Sequence, residues 1–150
     1  MIRSDRSVCS RNPRSGEVEK KDIKFRSETR FIRESSAMIL DSLKSLGVDD
    51  SRAFEIKLCV EEAVRNAIVH GNKSDPKRQI KFSYWINDDT VNIEIEDEGS
   101  GFKPELIKDP TKDENLTRNS GRGVYLIKKL MDNVEYVGSG NKVRISKRLK

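Results

Sequence analysis

The chain has 150 residues, 34% hydrophobic and 37% charged, with 30 Lys and Arg against 25 Asp and Glu for a formal charge of +5. That length suits a single domain able to bury about 70% of the surface its unfolded chain exposes. No apolar run approaches the ~20 residues of a membrane span, and the opening MIRSDRSVCSRNPRSG has positive charge without the apolar stretch of a secretory signal, so a cytoplasmic protein with no membrane role is expected.

Residues 1–21, rich in Arg, Ser, Asn and Lys and interrupted by Pro13 and Gly16, read as a disordered basic leader, with the folded domain over 22–150. DIKFR (22–26) predicts a short strand. Ser27 then offers a helix cap and Glu28 a negative first turn. The helix runs through FIRESSAMILDSLKSL, with Phe31, Ile32, Ile39, Leu43 and Leu46 near one face, until Gly47 stops it. Asp49 or Asp50 caps a second, longer helix whose apolar stripe is Phe54, Leu58, Val64, Ala67 and Ile68, and Gly71 ends it. The two cysteines, Cys9 in the leader and Cys59 in this helix, have neither disulfide-framework nor metal-ligand spacing, and read as a free tail thiol and a buried helix thiol.

The period then changes from helical to two. Ile80, Phe82, Tyr84 and Ile86 alternate, NDDT turns, and Val91, Ile93 and Ile95 alternate again, which predicts an antiparallel hairpin. A polar linker with Pro104 and Pro110 follows, reaching to about residue 119. SGRGVYLIKKLMDNV opens a third helix on a glycine turn, and VEYVG and KVRISKRL close the chain as two strands around GSGN. This order of elements predicts an α+β fold: a two-layer sandwich of a mixed, mostly antiparallel sheet with helices on one face. The positive residues gather at the ends, with Arg3, Arg6, Arg11 and Arg14 at one and Lys142, Arg144, Lys147, Arg148 and Lys150 at the other. No aromatic residues are interleaved with them as a single-strand binder would have, so solvated ends are the simpler reading and direct nucleic-acid binding is not expected.

Three places break the patterns that build a core. In VEEAVRNAIVHGN (60–72), Glu62 and Asn66 share a helix face, crowded by Val64, Ala67 and Ile68. A carboxylate there is able to polarise an attacking hydroxyl or water, and an amide oxygen is a hard ligand suited to Mg²⁺. The simpler alternative is a solvated Glu/Asn pair. Glu61 with Arg65 at i+4 reads as an ordinary surface pair, which favours Glu62 for chemistry. Asp97 follows Ile95 onto the inward face of its strand, where an unpaired charge is costly, and Gly99 and Gly101 leave room beside it. Alone, it also reads as an aspartate ending a strand before a turn. Gly121 and Gly123, in SGRGV, expose backbone N–H groups at a positive helix start, which makes an anion site or merely a loop-to-helix turn.

Taken together, ExxxN on a helix, a hairpin ending in DxGxG, a long linker and GxG at a helix start resemble the GHKL superfamily of ATP-binding domains, and within it the anti-sigma-factor serine/threonine kinases. EEAVRNAIVHGN resembles their N-box, EDEGSGF their first glycine box, and DPTKDENLTRNSGRGVYLIKKLMDNVEYV their lid and second glycine box; the likeness covers roughly 22–149. It implies that Asp97 accepts a hydrogen bond from the adenine amino group, with Gly99 and Gly101 making room for the nucleotide. Asn66 would hold Mg²⁺ bridging the phosphates of ATP, and Glu62 would be the general base. Gly121 and Gly123 would present N–H groups to the phosphates, whose charge Arg118 and Arg122 would offset. The linker from about Lys103 to Asn119 would be the ATP lid. His70, the one histidine, would line the nucleotide pocket or pack the helix end. The implied partners are a sigma factor and an anti-anti-sigma protein bearing a phosphorylatable serine, docking on the first helix near Arg33, with a homodimer also implied. An ATP-dependent binding switch with little phosphotransfer, and a basic nucleic-acid-binding domain, stand as the alternatives.

Overall fold

Period-two alternation and helix caps resolve into β1 (Val18–Arg26), α1 (Arg30–Ser45), α2 (Asp50–Arg65) running directly into a π-helical segment (Asn66–Gly71), β2 (Gln79–Asn87), β3 (Thr90–Glu96), α3 (Asn119–Leu130), β4 (Asn133–Val137) and β5 (Lys142–Arg148). The computed structural model describes residues 18–99 and 119–150, the first four of the second stretch by backbone alone.

The strands form one sheet in the order β1-β2-β3-β5-β4, and all four neighbouring pairs are antiparallel. One face is apolar: Ile80, Phe82, Tyr84 and Ile86 of β2, Val91, Ile93 and Ile95 of β3, and Val143 and Ile145 of β5 are all buried. Ile39 and Leu43 of α1, Ile56 and Val60 of α2, Ile68 of the π-helical segment and Ile127 of α3 join them in a single core, with α2 packed between α1 and α3. The opposite face is polar and knitted across strands: Arg144 meets Glu94 at 2.6 Å and Glu135 at 3.4 Å, and Lys142 meets Glu94 at 3.6 Å. The architecture is therefore the expected α+β two-layer sandwich with helices on one face, its described sheet antiparallel throughout rather than mixed. Among the described residues no helix is long and apolar enough to cross a membrane.

Four local expectations give way. β1 begins at Val18 rather than residue 22, because β2 is long enough to pair with it up to Ile86, across an irregularity between Val18 and Lys21. Ser27 does not cap α1. Its N–H and Oγ both donate to the Arg78 carbonyl, at 3.2 and 2.8 Å, so the sheet edge uses the groups that would have started the helix. α1 starts at Arg30 behind Thr29, which makes no side-chain cap, and its first turn carries no acidic residue. On α2, Asp49 is the cap, accepting from the Arg52 N–H at 2.8 Å. Phe54, however, is 55% exposed. The buried stripe is Ala53, Ile56, Val60, Ala63, Val64 and Ala67, whose three- and four-residue steps keep one face, whereas Phe54 lies a further ~100° round the helix. Cys59 on that stripe is fully buried, and burial pushes its thiol up to about 12.

Candidate functional site

Two walls without side chains meet the helix that α2 and its π-helical continuation form. The first is at Glu62 and Asn66. Four residues apart, they lie one turn above the other, and the start of α3 is laid against both. A Cβ on Gly123 would lie 2.9 Å from Asn66 Nδ2, 3.0 Å from Glu62 Oε2 and 3.4 Å from Asn66 Oδ1. Gly123 therefore lets the α3 backbone approach a carboxylate and an amide that any larger residue would displace.

The partners of the two glutamates differ from expectation. Arg65 pairs with Glu62, Nη1 to Oε1 at 2.9 Å, not with Glu61. Glu61 instead accepts from Ser36 Oγ of α1 at 2.7 Å and pairs with Lys57 at 3.4 Å. The α1 hydroxyl draws Glu61 toward the α1–α2 groove, and Arg65 turns back to its i−3 neighbour. Glu62 thus carries one oxygen on Arg65 and presents the other to the Gly123 wall.

The second wall is at Asp97. Its backbone extends the β3–β5 ladder by one pair: Asp97 N–H donates to the Asn141 carbonyl at 2.9 Å, and Asn141 Nδ2 donates to the Asp97 carbonyl at 2.9 Å. Its half-buried carboxylate accepts from Gly99 N–H at 2.8 Å through Oδ1. Among the described residues that is its one hydrogen bond. Gly71 faces this carboxylate so closely that any Cβ would overlap it, and a Cβ on Gly99 would overlap the Gly71 carbonyl. Burial raises the Asp97 pKa; the Gly99 N–H and the more distant Arg78 oppose that, and Glu96 adds to it.

The π-helical segment joins the two walls. Asn66 is its first residue and Gly71 its last, and the Asn72 N–H reaches back five residues to the Ala67 carbonyl at 2.8 Å. Such segments are frequent at functional sites. They appear as an extra residue in the helical period that no hydrophobic pattern announces, and a regular helix was expected here.

Asn66, Glu62 and Gly123 therefore come together, as do Asp97 and Gly99. Gly121 and Arg122 lie in the first turn of α3, where only their backbone is described. Gly101, Arg118 and the linker read as a lid lie outside the described residues, as do Cys9 and the leader to residue 17. His70 is exposed at the end of the π-helical segment, and Arg33 is exposed on α1. Three residues at the second wall were not singled out from the sequence. Gly71 was read only as a helix stop, Asn72 only as part of a motif, and Asn141 only as a turn residue. HGN directly after the helix was the one available signal.

Chemically, the Asp97 carboxylate, with one hydrogen bond among the described residues, suits a ligand that offers an N–H donor. The amide oxygen of Asn66 beside the Glu62 carboxylate is a hard oxygen set of the kind Mg²⁺ takes when phosphates supply the rest, and α3 brings a helix N-terminus to the same place. Among the described residues no three His, Cys, Asp or Glu side chains gather as a protein-only metal cage.

Comparison with known proteins shows the family. Residues 25–147 match the family described as histidine kinase-like ATPase domain. An anti-sigma F factor of Oceanobacillus iheyensis is 37% identical over 101 residues, 63% of this chain and 68% of that protein. The serine-protein kinase RsbW of Listeria monocytogenes is 31% identical over 100 residues, 62% of this chain and 64% of that protein. The chain thus spans about two thirds of the length of these curated relatives. Among solved structures, the RsbU and RsbW domains of a Mycobacterium tuberculosis protein superpose with a TM-score of 0.60 at 19% identity, covering 87% of this chain and 32% of that one, a likeness of fold. Because the family match runs from the end of β1 almost to the end of β5 and takes in both glycine-lined walls, the chain belongs to the family of histidine kinase-like ATPase domains.

Proposed function

We propose that the chain is an ATP-binding serine/threonine protein kinase of the anti-sigma-factor type, which binds a sigma factor and phosphorylates a serine on an anti-anti-sigma partner. One observation carries the reading: at one end of the helix formed by α2 and its π-helical continuation Gly71 lies against the Asp97 carboxylate, and at the other Gly123 of α3 lies against the Glu62/Asn66 pair. A nucleotide fits that polarity, base at Asp97 and phosphates at Asn66. The relatives named anti-sigma F factor and serine-protein kinase support the choice of partners.

In this reading the Asp97 carboxylate accepts from the adenine amino group, and Gly71 and Gly99 let the backbone close around that carboxylate. The Asn66 amide oxygen would hold Mg²⁺, which would supply neutralisation of phosphate charge. The α3 backbone at Gly121 and Gly123 donates to phosphate oxygens, and Arg118 and Arg122 add positive charge. Glu62 takes the proton of the incoming serine hydroxyl. The new bond joins that oxygen to the terminal phosphorus as the bond to the bridging oxygen breaks, and ADP leaves with the electron pair. Exposed Arg33 on α1 belongs to the docking surface for the partner.

The Glu62–Arg65 pair favours a second reading, a binding switch with little transfer, because Arg65 occupies one of the two carboxylate oxygens. A nucleic-acid role has less support: of the basic C-terminal residues, Lys142 and Arg144 are paired with Glu94, Lys147 with Glu55 at 3.4 Å and Lys150 with Asp89 at 3.8 Å.

The test measures ATP binding with and without Mg²⁺, then phosphate transfer to an anti-anti-sigma protein. Glu62→Gln should keep ATP affinity within about threefold and lower transfer by the 10²–10⁴-fold typical of a lost general base. Transfer absent from the wild type, with ATP-dependent capture of a sigma factor intact, would select the switch. A folded wild type that binds no ATP would sink both.

A further inference from the structure

We infer that Asn72 is a positioning residue for base recognition: it sets the Asp97 carboxylate and so the selectivity of the site for adenine. The inference rests on the nucleotide site proposed above and names a residue that touches no ligand in it.

Asn72 is fully buried, and its amide has a partner on every side. Nδ2 donates to Ser27 Oγ at 2.8 Å and to the Gln79 carbonyl at 3.0 Å, and Oδ1 accepts from the Glu98 N–H at 2.7 Å. Its own N–H closes the π-helical segment on Ala67, and its carbonyl accepts from Asp75 N–H at 3.0 Å. One side chain thus ties the end of β1 and the start of β2 to the turn that carries Asp97. A buried amide so fully used is rigid, because each broken bond would leave an unpaired polar group.

Both neighbours of the Asp97 carboxylate depend on this residue. Gly71, against which the carboxylate lies, is its preceding residue in the chain. Glu98, whose N–H it holds, stands between Asp97 and Gly99, and Gly99 N–H is the donor that orients Oδ1. With Glu98 fixed from the helix side and Asp97 fixed from the β5 side through Asn141, the carboxylate has one orientation. Adenine offers a donor where guanine offers a carbonyl acceptor. A carboxylate held rigidly as an acceptor rejects the wrong base strongly, and one free to turn away does not.

The experiment measures ATP and GTP affinities of the full chain in Mg²⁺, for wild type, Asn72→Ala, Ser27→Ala and Ile39→Val. Ile39 is a buried core residue of α1 outside the network, so Ile39→Val reports loss of stability alone. Asn72→Ala should lower the ATP:GTP affinity ratio at least 10-fold below its melting point. Ser27→Ala, which removes one anchor of the amide, should lower the ratio about threefold, and Ile39→Val should leave it unchanged. A destabilised Asn72→Ala that keeps the wild-type ratio would overturn the inference while the nucleotide site stands. Should Asn72→Ala fail to fold, an unchanged ratio in Ser27→Ala would overturn it equally. A wild type that binds neither nucleotide would overturn the site itself, and this inference with it.

Discussion

The Asp97 carboxylate is half-buried, with one hydrogen bond among the described residues, and the folded state holds its proton above the ordinary 3.8, chiefly through burial. A raised folded pKa means that the native state binds more protons than the unfolded one over that window. The contribution of Asp97 to stability is therefore present below pH 3.8 and is lost as pH rises through the folded value. Denaturant titrations of wild type and Asp97→Asn across pH 3–7 should show the wild type losing ground relative to the variant as pH rises. Asparagine keeps an acceptor for Gly99 N–H but turns a donor to the ligand. ATP binding should fall by about 1.5–3 kcal/mol, roughly 10- to 150-fold, with no loss of stability in the free protein at neutral pH. Cys59 is the opposite case: buried, with its thiol pushed up to about 12, it should resist alkylation until the chain unfolds.

At the scale of elements, α3 carries a glycine that a helix alone would not choose. Glycine in a helix interior costs about 1 kcal/mol relative to alanine, yet a Cβ at Gly123 would press on both Asn66 and Glu62. Gly123→Ala should leave the melting temperature unchanged or higher while lowering Mg²⁺-dependent phosphate transfer about 100-fold, the penalty for misplacing reacting groups by about 1 Å. Paired melting curves and transfer assays would check it; an unchanged rate would remove α3 from the site. The same element shows what periodicity conveys. GxG at a helix start was legible, and so were Glu62 and Asn66 as polar residues on a crowded face. The π-helical segment was not, because its extra residue leaves the apolar positions Ala67 and Ile68 buried as in a regular helix. The Arg65 pairing was not legible either, since i−3 and i−4 partners are equally near on a helix and the choice was made by Ser36 on another element.

For the molecule as a whole, the helix and sheet layers are joined by polar as well as apolar contacts. Tyr84, nearly fully buried in β2, shares a 2.8 Å hydrogen bond with Ser42 of α1 and reaches the Met38 carbonyl at 3.2 Å. Tyr84→Phe keeps the ring but strands the buried Ser42 hydroxyl and should cost about 1–3 kcal/mol, or about 2–4 °C in Tm per kcal/mol for a chain of this size. ATP affinity should be unchanged, which calorimetry on one sample would establish for both quantities. The sequence by itself determined the layers: alternation at Ile80–Ile86 and Val91–Ile95 marks a sheet with one buried face, and the Asp49 cap and the glycine stops mark its helices, because these signals act between residues near in the chain. Tertiary structure alone decided what meets across the chain: that Gly71 backs onto Asp97, that Gly123 closes on Glu62 and Asn66, and that Ser27 serves the sheet edge through Arg78 rather than α1. Those contacts join residues 26 to 61 positions apart, and no local preference encodes a partner that only the packing of α2 against α3 and the strand ends brings within reach.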